Sequence, residues 1–363
     1  VKLFLTGGTG FLGQSVLRQL AQAGHQVYAL TRDSKRVQVR GVEAVTGDIS
    51  NVSSWEEALK GVDACIHMIG ILREHRSQGV TFQKAHYQAT VDMVKACQRN
   101  GISRFIHVSA NGVEKSSSVP YMRTKALGEQ AVQSSGLDWT ILRPGLVYAG
   151  EVNEQNFIRT LRSHLDALPM FPYFGDGSYR MSPISAPEVA ESIVASLTKP
   201  ESIRKIYHLC GPETYTYKAM LHMLNEVGKY RCSLFSVPMW LATQATGLLG
   251  NFSQFPITAD MVRMLAAGNE MPTNALGLEH LGVHQRSFRN WLETGVLPEP
   301  PPTPVLGANQ TVPLSTEEAP PKTTQPLMME DAPDISEAVT KPLMTEDAPI
   351  TTQPLQSDQA PEV

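Results

Sequence analysis

The stretch TGGTGFLG at residues 6–13 limits the possible folds of this chain more than any other eight residues. It follows the apolar run KLFLTG (2–7) and opens FLGQSVLRQLAQAG (11–24), where Leu12, Val16, Leu20 and Ala23 share one helical face. A strand, a glycine turn and a helix in that order is the phosphate-binding start of a parallel α/β unit. Gly7 permits the tight turn, Gly10 lets a pyrophosphate approach the backbone, and Gly13 lets the helix pack closely on the strand. The helix N-terminus, at Phe11 and Leu12, then faces the phosphates.

The pattern continues as that start predicts. Strands are expected at 25–32, 42–48, 63–70, 104–110 and 138–145. Helices are expected at 53–60 and 79–100, with a third carrying Tyr121 and Lys125. Apolar strands separated by helices imply a parallel sheet covered on both faces. The fold class is therefore α/β: a Rossmann-type doubly wound sheet with a smaller, mostly helical C-terminal lobe and a disordered tail. The expected divisions are a nucleotide-binding domain over 1–150, a substrate or partner lobe over 151–296, and the tail over 297–363. In the lobe, helices are expected at 154–165 and 186–198, a strand at 205–211, and further helices to about 292.

The tail differs in composition. From Leu297 onward there are two Lys and eleven Asp or Glu, a net −9, while the remaining chain carries 29 basic and 24 acidic residues, a net +5. That small surplus is no argument for nucleic acid. Within the tail, TTQPLMMEDAP (323–333), TKPLMTEDAP (340–349) and TTQPLQSDQAP (351–361) are three imperfect copies of one unit. Such a composition buries too little apolar surface to offset chain entropy, so it is a solubilising tail or an array of docking motifs.

No apolar run reaches the ~18–20 residues of a membrane span. SVPMWLATQATGLLGNF (236–252) comes nearest but is broken by Gln, Thr and Gly; it suits an amphipathic helix, with membrane-surface contact or a docking face at Trp240 and Phe252 as alternatives. No signal peptide is expected, since the sequence opens on a strand. Cys65, Cys97, Cys210 and Cys232 form no C-x-x-C pair, which suits reduced, buried thiols. His280 and His284 lack a third ligand, so no metal site is expected.

Cofactor choice is read at the ends of the second and third strands. An NAD site offers an acid to the ribose 2′-hydroxyl after the second strand. Here Leu30-Thr31-Arg32 is followed by Ser34, Lys35 and Arg36. A guanidinium suits a 2′-phosphate, so NADP(H) is favoured over NAD(H), with Asp33 one place late as the opposing sign. Asp48, with Ile49 beside it, is placed to meet the adenine amino group, or simply to cap a turn. His67–Gly70 should pass beneath the adenosine ribose, with His67 itself packed.

Tyr121 and Lys125 lie four apart on one helix, so both can reach the same ribose. TGxxGxxG, Asp48, YxxxK and LRPGLVY (142–148) together resemble the extended and atypical short-chain dehydrogenase/reductases, over about 1–295. YMRTKALGEQAV (121–132), GDGSYRMSPISAPEVAESIV (175–194), GPETYTYKAML (211–221) and PITADMVRML (256–265) are similar to the nucleotide-binding accessory subunit of respiratory complex I and its bacterial relatives. The resemblance implies that Tyr121 is a general acid/base and that Lys125 binds the nicotinamide ribose and lowers the Tyr pKa. It also implies a Ser or Thr where FIHVSANG places Ala110. Ser109 falls one position early and should face the other side of the strand; Asn111 or one of Ser116–Ser118 could substitute.

Three functions follow as expectations. One is an NADP(H)-binding protein with a structural, sensing or assembly role, cytoplasmic and peripheral to the inner membrane, whose partners are respiratory or quinone-related proteins. Another is a reductase, epimerase or dehydratase acting on a small carbonyl or sugar nucleotide through Tyr121 and Lys125. The third is a scaffold recruiting partners through the tail repeats.

Overall fold

Seven parallel strands form the central sheet. In chain order they are β1 (Lys2–Thr6), β2 (Gln26–Thr31), β3 (Val42–Thr46), β4 (Ala64–His67), β5 (Arg104–Val108), β6 (Asp138–Pro144) and the strand Lys205–Leu209. Across the sheet the order is Lys205–Leu209, β6, β5, β4, β1, β2, β3. Leu5 of β1 pairs with Ala29 on one side and Ile66 on the other, so the winding direction reverses between β1 and β4. In such sheets the crevice outside the strand C-termini at that reversal receives the ligand. The computed structural model describes residues 1–148, 156–241 and 259–297.

Alternation along the strands builds two apolar layers. Leu3, Leu5, Val27, Ile66, Ile106 and Leu142 face α1 (Phe11–Gln22) and the helix Ala186–Thr198, which contribute Val16, Leu17, Leu20, Val189 and Ile193. On the other face, Phe4, Cys65, Phe105 and Ile141 meet Trp55, Met93, Cys97 and Val132. These come in part from α2 (Ala89–Arg99) and α3 (Pro120–Gln133). The sheet thus takes its edge strand, and one of its covering helices, from beyond residue 150. Helix Ala186–Thr198 starts where its sequence requires: Ser185 accepts from the Glu188 amide while the Glu188 carboxylate accepts from the Ser185 amide.

Two expected helices differ. Residues 53–60 form two 3₁₀ turns, Val52–Ser54 and Glu56–Leu59, interrupted at Trp55, whose φ of −141° drops its ring onto Phe4. Burying that indole outweighs helical continuity. The helix expected from 79 begins instead with a π turn, Gln83–Gln88, leading into α2. α3 passes so close that a Cβ on Gly128 would lie 2.6 Å from the His86 carbonyl oxygen.

The later part of the chain adds helices Phe157–Ala167 and Tyr217–Val227 around a third apolar cluster including Tyr148, Ile158, Leu161, Met220 and Trp291. It also contains strand pairings that the sequence pattern did not suggest, among them Met170–Phe174 running parallel to Ser233–Val237. All four cysteines are buried and unpaired. Among the described residues no helix is long and apolar enough to cross a membrane, and no His/Cys/Asp/Glu cluster could hold a metal ion. The tail repeats and residues 242–252, including Phe252, lie outside the described residues.

Candidate dinucleotide-binding site

The turn after β1 is shaped by what its glycines lack. Gly7 has φ +84°, and a Cβ there would lie 2.8 Å from the Met68 carbonyl oxygen at the end of β4. At Gly13 a Cβ would come within 2.4 Å of the carbonyl oxygens of Gly7 and Gly8, so the first turn of α1 sits directly on the loop. Gly10 is the N-cap of α1, and a Cβ there would meet only the Gly7 oxygen, at 3.4 Å. Its amide donates to that oxygen. No side chain caps the helix, so the amides of Phe11 and Leu12 begin α1 facing the crevice with no protein acceptor supplied to them.

The end of β2 is basic and exposed. Arg32 lies near enough to Asp48 to lower that carboxyl's pKa, after the two larger contributions from Ser50, whose hydroxyl and amide both donate to Asp48 Oδ1. The bonds to Ser50 are the turn-capping role open to Asp48 from the sequence. Ile49 packs on the Phe4–Trp55 layer. Asp33, the opposing sign for cofactor choice, is engaged locally: it N-caps a 3₁₀ turn and accepts from the Lys35 amide at 3.1 Å. Arg36 folds back across the turn and donates to the Thr9 carbonyl at 3.2 Å. Two guanidinium groups therefore lie near the glycine turn's side of the sheet, one near Asp48 and one against the glycine loop.

At the other end, Lys125 is only 3% exposed. Its Nζ donates to the carbonyls of Ile69 and Val108, both at 3.2 Å, which fixes it at the C-terminal ends of β4 and β5. Beneath it is a row of imidazoles. His67 is fully buried; its Nδ1 bonds Thr6 Oγ1 at 2.8 Å, and its ring stacks on His107 at 5.6 Å. Burial first, and then the Lys125 charge, push His67 down to about 3. His107 is lowered by the same burial, and His86 falls to about 2, so all three rings are neutral. His86 Nε2 accepts from the Ile71 amide at 3.1 Å and Nδ1 bonds Thr124 Oγ1, pinning the loop after β4 to α3. Burial lowers Lys125 itself to about 8, against the raising influence of Glu129.

Tyr121 packs edge-on against His86 and Phe82. Its hydroxyl has no hydrogen-bond partner among the described residues, and burial raises the phenol to about 12. Ala110 packs against the same apolar cluster, and its methyl has no hydrogen bond to offer. Ser109 Oγ is buried without a partner. Asn111 is fully committed: Nδ2 donates to the Glu270 carbonyl at 2.7 Å and Oδ1 pairs with His208 Nδ1 at 2.6 Å. Ser116 bonds Glu114, and Ser117 Oγ accepts from the Val119 amide. Met264, from the helix Ala259–Ala266, packs onto the Tyr121 cluster from the far end of the chain. The segment after that helix is tied down where the Asn269 amide meets the Arg180 carbonyl and the Ser182 amide meets the Asn269 carbonyl.

A family model described as NAD(P)H-binding matches residues 7–200, over half of the chain. The chain belongs to the NAD(P)H-binding family. Binding of a nicotinamide dinucleotide is the function that this membership supports. The chain is 24% identical over 293 residues to the mitochondrial 40 kDa subunit of NADH-ubiquinone oxidoreductase from Neurospora crassa, covering 78% of this chain and 76% of that protein. It is 26% identical over 250 residues to an NAD(P)H azoreductase from Xenophilus azovorans, covering 68% and 81%. The crystal structure of a nucleoside-diphosphate-sugar epimerase from Staphylococcus aureus superposes with a TM-score of 0.65 at 19% identity, over 81% of this chain and all of that one; at that identity the likeness is one of fold.

Within the family frame, sequence reasoning missed three contributors. Arg36 was only a neighbour of Arg32, and nothing local shows that it reaches Thr9. His86 carried no motif. Met264 follows an ordinary helical pattern some 140 positions from the residue it packs near, a separation that no local spacing discloses.

Proposed function

We propose that this chain holds NADP(H) as a structural or sensing ligand and acts through protein partners in a membrane-linked respiratory or quinone assembly, from a cytoplasmic position peripheral to the inner membrane. The observation that carries this reading is Ala110, packed against the Tyr121 cluster at the position where a catalytic hydroxyl would be needed. Of the side chains that could replace that hydroxyl, Asn111, Ser116 and Ser117 are bonded elsewhere, Ser109 is buried and Ser118 is exposed, while Met264 packs on the same cluster. The relative from Neurospora crassa, named as a subunit of a respiratory oxidoreductase, supports the choice of assembly.

In this reading the amides of Phe11 and Leu12 meet the diphosphate, and Arg32 and Arg36 clamp the 2′-phosphate. Asp48, with Oδ1 held by Ser50, presents its other oxygen to the adenine amino group. Lys125 gives the nicotinamide ribose the positive charge that its two carbonyl contacts hold in place, and Tyr121 donates its free hydroxyl to the same sugar. A phenol near 12 is a good donor and a poor proton shuttle at neutral pH.

A second reading, a reductase, epimerase or dehydratase acting on a small carbonyl or sugar nucleotide, is favoured by that same unbonded Tyr121 hydroxyl and by the azoreductase relative. One experiment separates the two. Purified protein is assayed for bound nucleotide by chromatography after denaturation, then for NADPH oxidation with carbonyls, quinones and azo dyes. Co-purifying NADPH that stays reduced supports the holder; turnover abolished by Tyr121→Phe defeats it.

A further inference from the structure

The parallel pair Met170–Phe174 and Ser233–Val237 has one face turned inward and one turned out. Phe171 and Leu234, paired in register, pack on the third apolar cluster. The same register places Met170 opposite Ser233 and Pro172 opposite Phe235, so Met170, Pro172 and Phe235 share the outer face. Met170 is 55% exposed, and Phe235 is exposed as well. Leu168 precedes the first strand and Trp240–Leu241 follow the second; all three are exposed, Trp240 to 63%. Five of the eight large exposed apolar side chains described in the protein therefore gather at this one place. A soluble surface that concentrates apolar side chains in this way marks an interaction site.

The chain itself indicates what covers it. Lys229 and Arg231, both exposed and without an ion pair among the described residues, stand immediately before the second strand. From Cys232 to Thr258 the sequence then carries no charged residue. In a chain with 18% charged residues, 27 positions without one are a marked departure. A basic pair, an exposed aromatic and aliphatic face, and Trp at its margin are the components of an interfacial lipid contact, in which cations meet the headgroups, an indole the boundary, and aliphatic groups the region just below.

We propose that the outer face of this strand pair, with Leu168, Trp240 and Leu241, seats on a bilayer surface bearing anionic lipids, with Lys229 and Arg231 at the headgroups. This inference rests on the membrane-peripheral part of the function proposed above and is independent of cofactor turnover. The contact is peripheral and uses none of the residues of the cofactor crevice.

The test uses the full chain and vesicles of phosphatidylcholine, with or without phosphatidylglycerol, separated by flotation. Binding is expected only with the anionic mixture. Phe235→Ser combined with Trp240→Ser should weaken it about tenfold or more, and Arg231→Gln about fivefold. Acyl-brominated lipid should quench a fluorescence component that Trp240→Phe removes. Bound NADPH is measured in every sample: a variant that keeps its nucleotide is folded, and absent nucleotide in the parent protein refutes the holder reading without touching this one. No flotation on either vesicle, flotation unchanged by the double substitution, or capture only by membranes whose proteins are intact would each overturn the lipid surface.

Discussion

The two ends of the crevice are built on opposite principles. At the glycine-turn end, helix amides carry no side-chain cap, guanidinium groups lie at the surface, and Lys125 keeps its place through carbonyls alone. Around Tyr121, most of the candidate polar side chains bond within the protein, although the Tyr121 hydroxyl itself does not. Asn111 is bonded to Glu270 and His208, and an alanine and a methionine pack against the Tyr121 cluster. On the reading proposed above, the first end keeps donors available to a ligand, whereas the second packs much as a core does.

The strongest challenge to that contrast is Gly13→Ala. Its Cβ would lie 2.4 Å from two carbonyl oxygens. Overpacking of that kind costs about 1–3 kcal/mol or more, so NADPH affinity by calorimetry should fall as much as ~100-fold. Next is Arg32→Ala combined with Arg36→Ala. Losing charge-assisted bonds worth about 1.5–3 kcal/mol together should weaken NADPH roughly 10- to 100-fold while leaving NADH unchanged. Equal losses for both coenzymes would remove the 2′-phosphate clamp.

A pH series sharpens the comparison at Lys125. Its folded pKa, about 8, lies below its ordinary value, so between pH 8 and the usual lysine range the unfolded chain binds the extra proton. Stability of the apo protein should rise with pH across that window, while dinucleotide affinity falls as the ribose loses its cation. Lys125→Met should abolish both slopes, read by thermal melts and calorimetry. On the acid side the sign is the same: His67 and His86, lowered to about 3 and 2, are neutral when folded and protonated when unfolded, so stability is lost as pH drops below about 6.5.

The smallest effect is expected at Tyr121→Phe. One neutral hydrogen bond is worth about 0.5–1.5 kcal/mol, so affinity should weaken by about tenfold at most, with no change in NADPH oxidation. If the far end were catalytic, the same change would lower turnover by ~10²–10⁴.

The sheet was legible because its signals are local. Glycines mark the first turn, apolar runs mark the strands, and Ser185 with Glu188 marks the start of helix Ala186–Thr198 to the residue. Two places were illegible for equally physical reasons. Trp55 breaks a helix that its neighbours favour because its ring belongs under Phe4. The pair Met170–Phe174 and Ser233–Val237 is held together across more than 60 positions, with a proline in one strand and a mixed burial pattern in the other. In the site, the glycines, Lys125 and the loss at Ala110 could be read from motifs. The imidazole row could not, since each histidine comes from a different segment and only the sheet register brings His67 and His107 together.

The edge strand Lys205–Leu209 and the helix Ala186–Thr198 also govern how the protein is made. Val16, Leu17 and Leu20 of α1 remain uncovered on the ribosome until Val189 and Ile193 emerge. The cradle at the amino terminus thus depends on residues translated nearly two hundred codons later. For the emerging polypeptide that interval is a period of exposed leucines, and a chaperone or an early coenzyme is the natural guardian of it.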